Sequence, residues 1–314
     1  MRENNFHHTD RELSLDDLGL QLRARLALGH AFRCRLDDSV VSAIRRELGM
    51  ADRAGVPGAL DGLSQRSLVT CFGRTADGEP FQRFVPPSRI AEAIGRGHTV
   101  VVEDGRQISP TITAVASALR DDVGYAPDVG AVALSISPPG EAVPLHFDGL
   151  ETFALQLSGH KRWRVGKAVE VLHPSTSMFY AERTTGYRDN DRPAPAYVPS
   201  ALPSAARLLA QDLGPGHGMA LCRGWWHETS VPHDGRTSVG LVFKMPTVSL
   251  SRHLGTWVNE QLVQCSRFRT PLLGMWSTDP DARREAEEDF SRAREEAVEY
   301  LGSVAVVPAR RDEL

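Results

Sequence analysis

The chain has 314 residues, 41% of them hydrophobic and 24% charged, with a formal net charge of −4 and a pI near 6.3. That is enough for one good core and a smaller satellite, and the charge balance lacks the footprint of a protein that grips nucleic-acid backbone, so no nucleic-acid partner is expected. No apolar run approaches bilayer length and Met1–His8 is no signal peptide, which leads us to expect a cytoplasmic protein with no membrane partner.

Residues 1–10 are polar and are expected to be mobile. From Ser14 the pattern Leu18, Leu20, Leu22, Leu26, Leu28 follows Asp16 and Asp17, which sit well in a first helical turn, and predicts a helix to about Phe32. A second helix is expected over Asp38–Leu48, before a Gly/Pro-rich loop at Gly55–Gly62. Short strands around Leu68–Phe72 and Phe81–Val85 flank Asp77-Gly78, a hairpin signal. A helix at Ser88–Gly95, a buried strand at Thr99–Val102, a helix over Ile108–Leu119 and a strand at Val132–Ser137 follow.

Next, Phe153, Leu155 and Leu157 alternate with Thr152, Ala154 and Gln156, and Lys161, Trp163 and Val165 alternate with Arg162 and Arg164. Period-2 patterning of this kind predicts half-buried antiparallel strands. Between Gly166 and Gly214 the periodicity is lost apart from a short helix predicted over Ser204–Gln211, and a long excursion of this kind suits a substrate loop. Returning strands are expected at Met219–Cys222 and Thr237–Lys244. Beyond Pro246 two helices are predicted, Leu250–Cys265 and Asp281–Leu301. The second carries a stripe of Ala286, Phe290, Ala293, Ala297 and Leu301, which suits ordinary packing or the seam of a homodimer.

The chemistry concentrates at His146-Phe147-Asp148. Alternate residues of a strand share a face, so an imidazole and a carboxylate stand side by side there. A third ligand is available in His227, at the end of Gly224-Trp225-Trp226-His227. Two histidines and one carboxylate with open positions form the metal site of non-haem Fe(II) oxygenases. Any one of the three alone would more often be an ordinary buried or solvated side chain. The four cysteines (Cys34, Cys71, Cys222, Cys265) are scattered and fit neither a disulfide framework nor a zinc site. Only three of the 36 cationic residues are lysines (Lys161, Lys167, Lys244).

Pro138-Pro139-Gly140, His146-Phe147-Asp148, Gln156-Leu-Ser-Gly-His-Lys-Arg-Trp163 and Pro215-Gly-His-Gly-Met-Ala-Leu-Cys-Arg-Gly-Trp-Trp-His227 occur in that order. Over roughly residues 90 to 246 the chain resembles the JmjC-type 2-oxoglutarate oxygenases, in particular the ribosomal-oxygenase branch often filed as cupin-4 proteins. It departs from their pattern at His217, where an aspartate is usual, and at Cys222, where a proline is usual; both concern turn geometry more than metal ligation.

The resemblance implies a double-stranded β-helix, the jelly roll of the cupin/JmjC kind. Residues 1–89 would supply N-terminal α/β elements packed on the barrel, 90–246 the catalytic domain with a 166–214 insertion, and 247–314 a helical C-terminal segment. It implies Fe(II), 2-oxoglutarate and O2, with His146, Asp148 and His227 as metal ligands. Lys161 would hold the distal carboxylate of 2-oxoglutarate by a charge-assisted bond, with Ser238 or Lys244 assisting. An asparagine that some relatives place before Pro-Pro-Gly is absent, and the nearby residues are Ala133, Ser135 and Ser137. Arg236 is read as a turn or surface arginine, Trp225 and Trp226 as core, and Phe179, Tyr180, Tyr187 and Glu151 as side chains that either touch substrate or do not.

The implied reaction is hydroxylation of an unactivated C–H, first of a peptidyl or amino-acid side chain. The ribosomal relatives continue into a dimerisation segment and a winged helix, for which the 68 residues after Pro246 are too few. A small natural-product scaffold therefore stays open as substrate. Two rivals are a metal-binding cupin acting as a sensor or binding module, and a zinc or manganese cupin with no use for Lys161.

Overall fold

The computed structural model describes residues 6–50, 60, 67–75, 77, 80–103, 109–125, 131–167, 173–174, 177–179, 208–233, 235–247, 250–271 and 278–304. In chain order the first part gives β1 (Phe6–Leu13), α1 (Leu15–Ala27), β2 (Ala31–Leu36), α2 (Asp38–Glu47), β3 (Val69–Arg74), β4 (Pro80–Phe84), α3 (Ile90–Gly95), β5 (Thr99–Val102) and α4 (Pro110–Val123). Eight strands then alternate between two sheets: β6 (Ala131–Ser137), β7 (Gly140–Phe147), β8 (Glu151–Ser158), β9 (Lys161–Lys167), β11 (Leu209–Leu213), β12 (His217–Leu221), β13 (Trp225–Val231) and β14 (Ser238–Met245), with the two-residue β10 (Met178–Phe179) between β9 and β11.

One sheet carries the order β12-β8-β14-β6 and the other β7-β13-β9-β11, all neighbours antiparallel. Strands that switch sheet at every step of β6 to β9 and again of β11 to β14 make a double-stranded β-helix, the jelly roll expected from the motifs. The N-terminal strands widen the first sheet, β1 and β2 on the β12 edge and β5, β3 and β4 on the β6 edge, giving nine strands in all. This moves the edges of that sheet out to β1 and β4 and leaves its four barrel strands in the middle, while the strands that carry His146, His227 and Lys161 belong to the other sheet.

Two faces of β8 explain where the core sits. Phe153, Leu155 and Leu157 pack outward into the cluster under the helices, with Leu18 and Leu22 of α1, Ile44 of α2 and Ile112, Val115 and Leu119 of α4. Ala154 points the other way, to the barrel interior, with Trp163, Val165, Met219 and Trp225. The alternation therefore marks two buried environments and not a half-solvated strand, since Thr152, Ala154 and Gln156 are buried as well. β9 keeps the expected one-sided burial, and its outer arginines pair across the sheet, Arg162 with Asp212 at 2.7 Å and Arg164 with Glu228. The turn between these strands needs its glycine: Gly159 has φ +66°, and a Cβ there would stand 2.7 Å from the Thr237 carbonyl oxygen.

Several expectations need correction. The first residues are not all loose: Phe6–Leu13 runs parallel to β2. The first helix stops at Ala27 because Gly29 takes φ +69°, and Ala31–Leu36 is a strand, with Phe32, Cys34 and Leu36 buried between Arg33 and Arg35. In place of a helix ending at Gln211, Leu209–Leu213 is an edge strand on β9 whose Asp212 answers Arg162; residues 204–207 lie outside the described set. All four cysteines are free thiols, and burial pushes Cys34 and Cys222 up to about 12.

The chain divides into two compact units, Met1–Thr247 and Val248–Leu314. The second holds α5 (Leu250–Leu262), a 3-10 turn at Ser266–Arg269 and α6 (Pro280–Ser303). Arg267 ties the turn to α6 through Glu296 at 2.7 Å and Asp289 at 3.1 Å. Of the stripe on α6, Ala286 is buried and Phe290 is 52% exposed. Among the described residues no helix is long and apolar enough to cross a membrane.

Candidate metal centre

β7 and β13 run antiparallel with His146 directly opposite His227. This register brings two imidazoles from distant parts of the chain to a ring separation of 4.0 Å. Asp148, two residues beyond His146, completes a group whose ligand atoms all lie within 4.8 Å of one another. His227 Nε2 stands 3.7 Å from Asp148 Oδ2.

The backbone sets both imidazoles for ligation. His146 Nδ1 lies 2.8 Å from the Pro144 carbonyl oxygen, and His227 Nδ1 lies 3.0 Å from that of Trp225. A carbonyl can only accept, so these contacts place a ring proton on Nδ1, the tautomer in which Nε2 carries the lone pair that ligates a metal. Burial, and after it the neighbouring His227, pushes His146 well below the ordinary histidine range, which keeps its ring neutral. Trp163 stacks on His227 at 5.7 Å with an interplanar angle of 20°, and Trp226 meets Phe147 edge-on at 4.9 Å. Trp225 and Trp226 are both core residues, Trp225 in the barrel-interior cluster with Trp163 and Trp226 on the other face of β13 against Phe147. Two neutral nitrogens and one carboxylate oxygen on rigid strands fit a six-coordinate first-row ion with positions to spare.

Lys161 is the second feature of the interior. It is 4% exposed, and its Nζ donates to Ser135 Oγ at 3.1 Å and Ser137 Oγ at 3.0 Å, both on β6. Burial pushes its pKa down to about 8. No described carboxylate pairs with it. An ammonium held by two neutral hydroxyls in a dry interior is costly unless an anion joins it. Ser238 stands opposite Ser137 in the β14–β6 ladder and accepts from Gln156 Nε2 at 2.9 Å. Lys161, Ser135, Ser137 and Ser238 therefore form one polar patch. Sequence reading noted Ser135 and Ser137 without assigning them a role; their signal is that they share one face of β6. Trp163 Nε1 is a buried donor with no hydrogen-bond partner among the described residues.

Lys244 does not join this patch. It lies six residues beyond Ser238, about 20 Å along an extended strand, and is bound to Glu103 at 2.8 Å. Nor is Glu151 a free acceptor, since both its oxygens take the guanidinium of Arg223 at 2.7 and 2.8 Å. Arg223 also donates to the Thr247 carbonyl oxygen at 3.0 Å. Removing one partner of so enclosed a pair strands the other, so Glu151→Ala should destabilise the protein by roughly 3–5 kcal/mol, read as a fall in the urea midpoint. Arg236 is exposed, as expected. Tyr180 and Tyr187 lie outside the described residues, as does the side chain of Phe179. The two departures from the motif are accommodated: His217 Nδ1 reaches the Gly214 carbonyl oxygen at 3.1 Å, and the Cys222 thiol faces the His30 carbonyl oxygen at 3.4 Å.

Residues 121–249 match the family model described as the JmjC domain. No curated protein matches the chain. Among solved structures the chain is similar to E. coli ycfD, at 16% identity and a TM-score of 0.45, covering 80% of this chain and 64% of that one. It is likewise similar to YcfD, a ribosomal oxygenase from E. coli, in complex with cobalt and 2-oxoglutarate (17% identity, TM-score 0.43, covering 80% and 63%). The chain thus spans less than two thirds of the length of these structures. His146, Asp148, Lys161 and His227 all lie inside the segment that matches the JmjC domain model.

Proposed function

We propose that this chain is an Fe(II)- and 2-oxoglutarate-dependent oxygenase that hydroxylates an unactivated C–H bond, first of a peptidyl or amino-acid side chain. The observation that carries the reading is the pairing of the His146/Asp148/His227 ligand set with a buried ammonium that, among the described residues, has only hydroxyl partners. A metal-binding module, or a cupin using its metal as a Lewis acid alone, has no use for that lone charge.

A bound ferrous ion would supply the activation of O2 coupled to oxidative decarboxylation of 2-oxoglutarate to succinate and CO2. The chain's own residues do the rest. His146 and His227 would offer Nε2 and Asp148 a carboxylate oxygen, leaving positions open. Lys161 would take the distal carboxylate of the cosubstrate by charge-assisted hydrogen bonds, with Ser135 and Ser137 fixing its Nζ and Ser238 beside them. Trp163, stacked on His227, and Trp225, in the same interior cluster, would exclude water from the reacting atoms.

The test is succinate formation from 2-oxoglutarate with Fe(II), ascorbate and air. Slow uncoupled release is expected without any prime substrate, and a candidate peptide should accelerate it and gain one oxygen by mass. Absence of both succinate and 2-oxoglutarate binding would favour a binding module.

The Lys161 shift has two signs. Its folded pKa, about 8, lies below the 10.5 of a free lysine, so between these values the unfolded chain binds more protons and stability of the ligand-free protein rises with pH. Binding of 2-oxoglutarate needs the ammonium and moves the opposite way. Its affinity should fall about tenfold per pH unit above the folded pKa, measured by calorimetry with Mn(II) in place of iron.

A further inference from the structure

Asp148 is held on its far side. The Ser177 hydroxyl donates to Asp148 Oδ1 at 3.1 Å and accepts from the Gly149 backbone N–H at 3.1 Å. A hydroxyl has one proton, and with the amide occupying a lone pair that proton is directed at the carboxylate. The other oxygen, Oδ2, is the one that stands 3.7 Å from His227 Nε2. Ser177 is itself anchored, since the next two residues pair with the ligand strand, Met178 with Phe147 and Phe179 with His146.

A carboxylate free to turn about its last bond can present both oxygens to a metal and fill one more coordination position. We propose that Ser177 is a positioning residue that restricts Asp148 to ligation through Oδ2, so that positions remain for a chelating cosubstrate and for O2. The inference rests on the metal-centre reading above. It gives the early part of the 166–214 excursion a part in shaping the metal site. Within this patch the backbone amide of Gly149 serves as the brace, Ser177 as the relay and Asp148 as the ligand.

The experiment is a Co(II) titration of the full chain, followed by visible ligand-field absorption, whose shape and intensity report coordination number. Wild type should bind one Co(II), and its spectrum should change when 2-oxoglutarate is added. Ser177→Ala should lower Co(II) affinity by about 10- to 100-fold, as loss of an outer hydrogen bond to a ligand does, and alter the Co(II) spectrum before 2-oxoglutarate is added. Ser177→Thr, which keeps the donor, should restore both. Wild-type affinity and spectrum in Ser177→Ala would overturn the proposal, leaving the metal centre intact. Failure of wild type to bind Co(II) at all would overturn the metal reading and the proposal with it. Should Ser177→Ala lose its cooperative melt, Ser177→Cys, similar in size and a weak donor, carries the same comparison.

Discussion

His227→Ala should abolish tight binding of a divalent metal, a loss greater than the roughly 10- to 100-fold that outer-shell changes cost. Its imidazole is one of two that the β7–β13 register sets face to face, and removing it leaves one nitrogen and one carboxylate, too few to hold an ion against water. Mn(II) titration followed by electron paramagnetic resonance checks this directly. The variant leaves the Arg223–Glu151 pair untouched, and a near-native urea midpoint would separate ligand loss from unfolding. Tight binding of one Mn(II) by His227→Ala would remove it from the ligand set.

Lys161→Ala should raise the 2-oxoglutarate requirement by roughly 30- to several-thousand-fold, the equivalent of about 2–5 kcal/mol for cutting one partner from a buried charge pair. The metal should bind as before, since none of its ligands is touched. Lys161→Met adds a second sign. It removes an ammonium that burial already disfavours, so the ligand-free protein should melt higher while 2-oxoglutarate binding is lost. Lys161→Arg completes the set, because a guanidinium stays charged throughout and should flatten the loss of affinity above the lysine's folded pKa. Unchanged cosubstrate affinity in all three would remove Lys161 from the pocket.

Much of this arrangement was legible in the sequence because strand period and motif order carry it. His146 and Asp148 share a face by alternation alone, and Lys161 and Trp163 share theirs for the same reason. What alternation cannot say is which strands become neighbours. That Lys244 would pair with Glu103, and that Ser238 would face Ser137, depends on the β14–β6 register, set by packing along the whole strand. The β8 strand misled in another way: small and polar Thr152, Ala154 and Gln156 read as a solvent face, but the second sheet covers them.

Local signals were available and lost to stronger ones. Arg33 and Arg35 between Phe32, Cys34 and Leu36 form a strand pattern, overshadowed by the leucine-rich helix before Gly29. Phe6–Leu13 had no such pattern, and its order comes from lying beside β2, a partner that local propensity does not reveal. At the site, Ser177 sits in a stretch without periodicity, and only the fold shows its hydroxyl on Asp148.

The most direct test of the central claim is a crystal structure of the full chain with Mn(II) and N-oxalylglycine. The account predicts one metal ion on His146 Nε2, His227 Nε2 and a single oxygen of Asp148, with the inhibitor's distal carboxylate on Lys161 Nζ. A metal held elsewhere, or an inhibitor whose distal carboxylate turns away from Lys161, would contradict it.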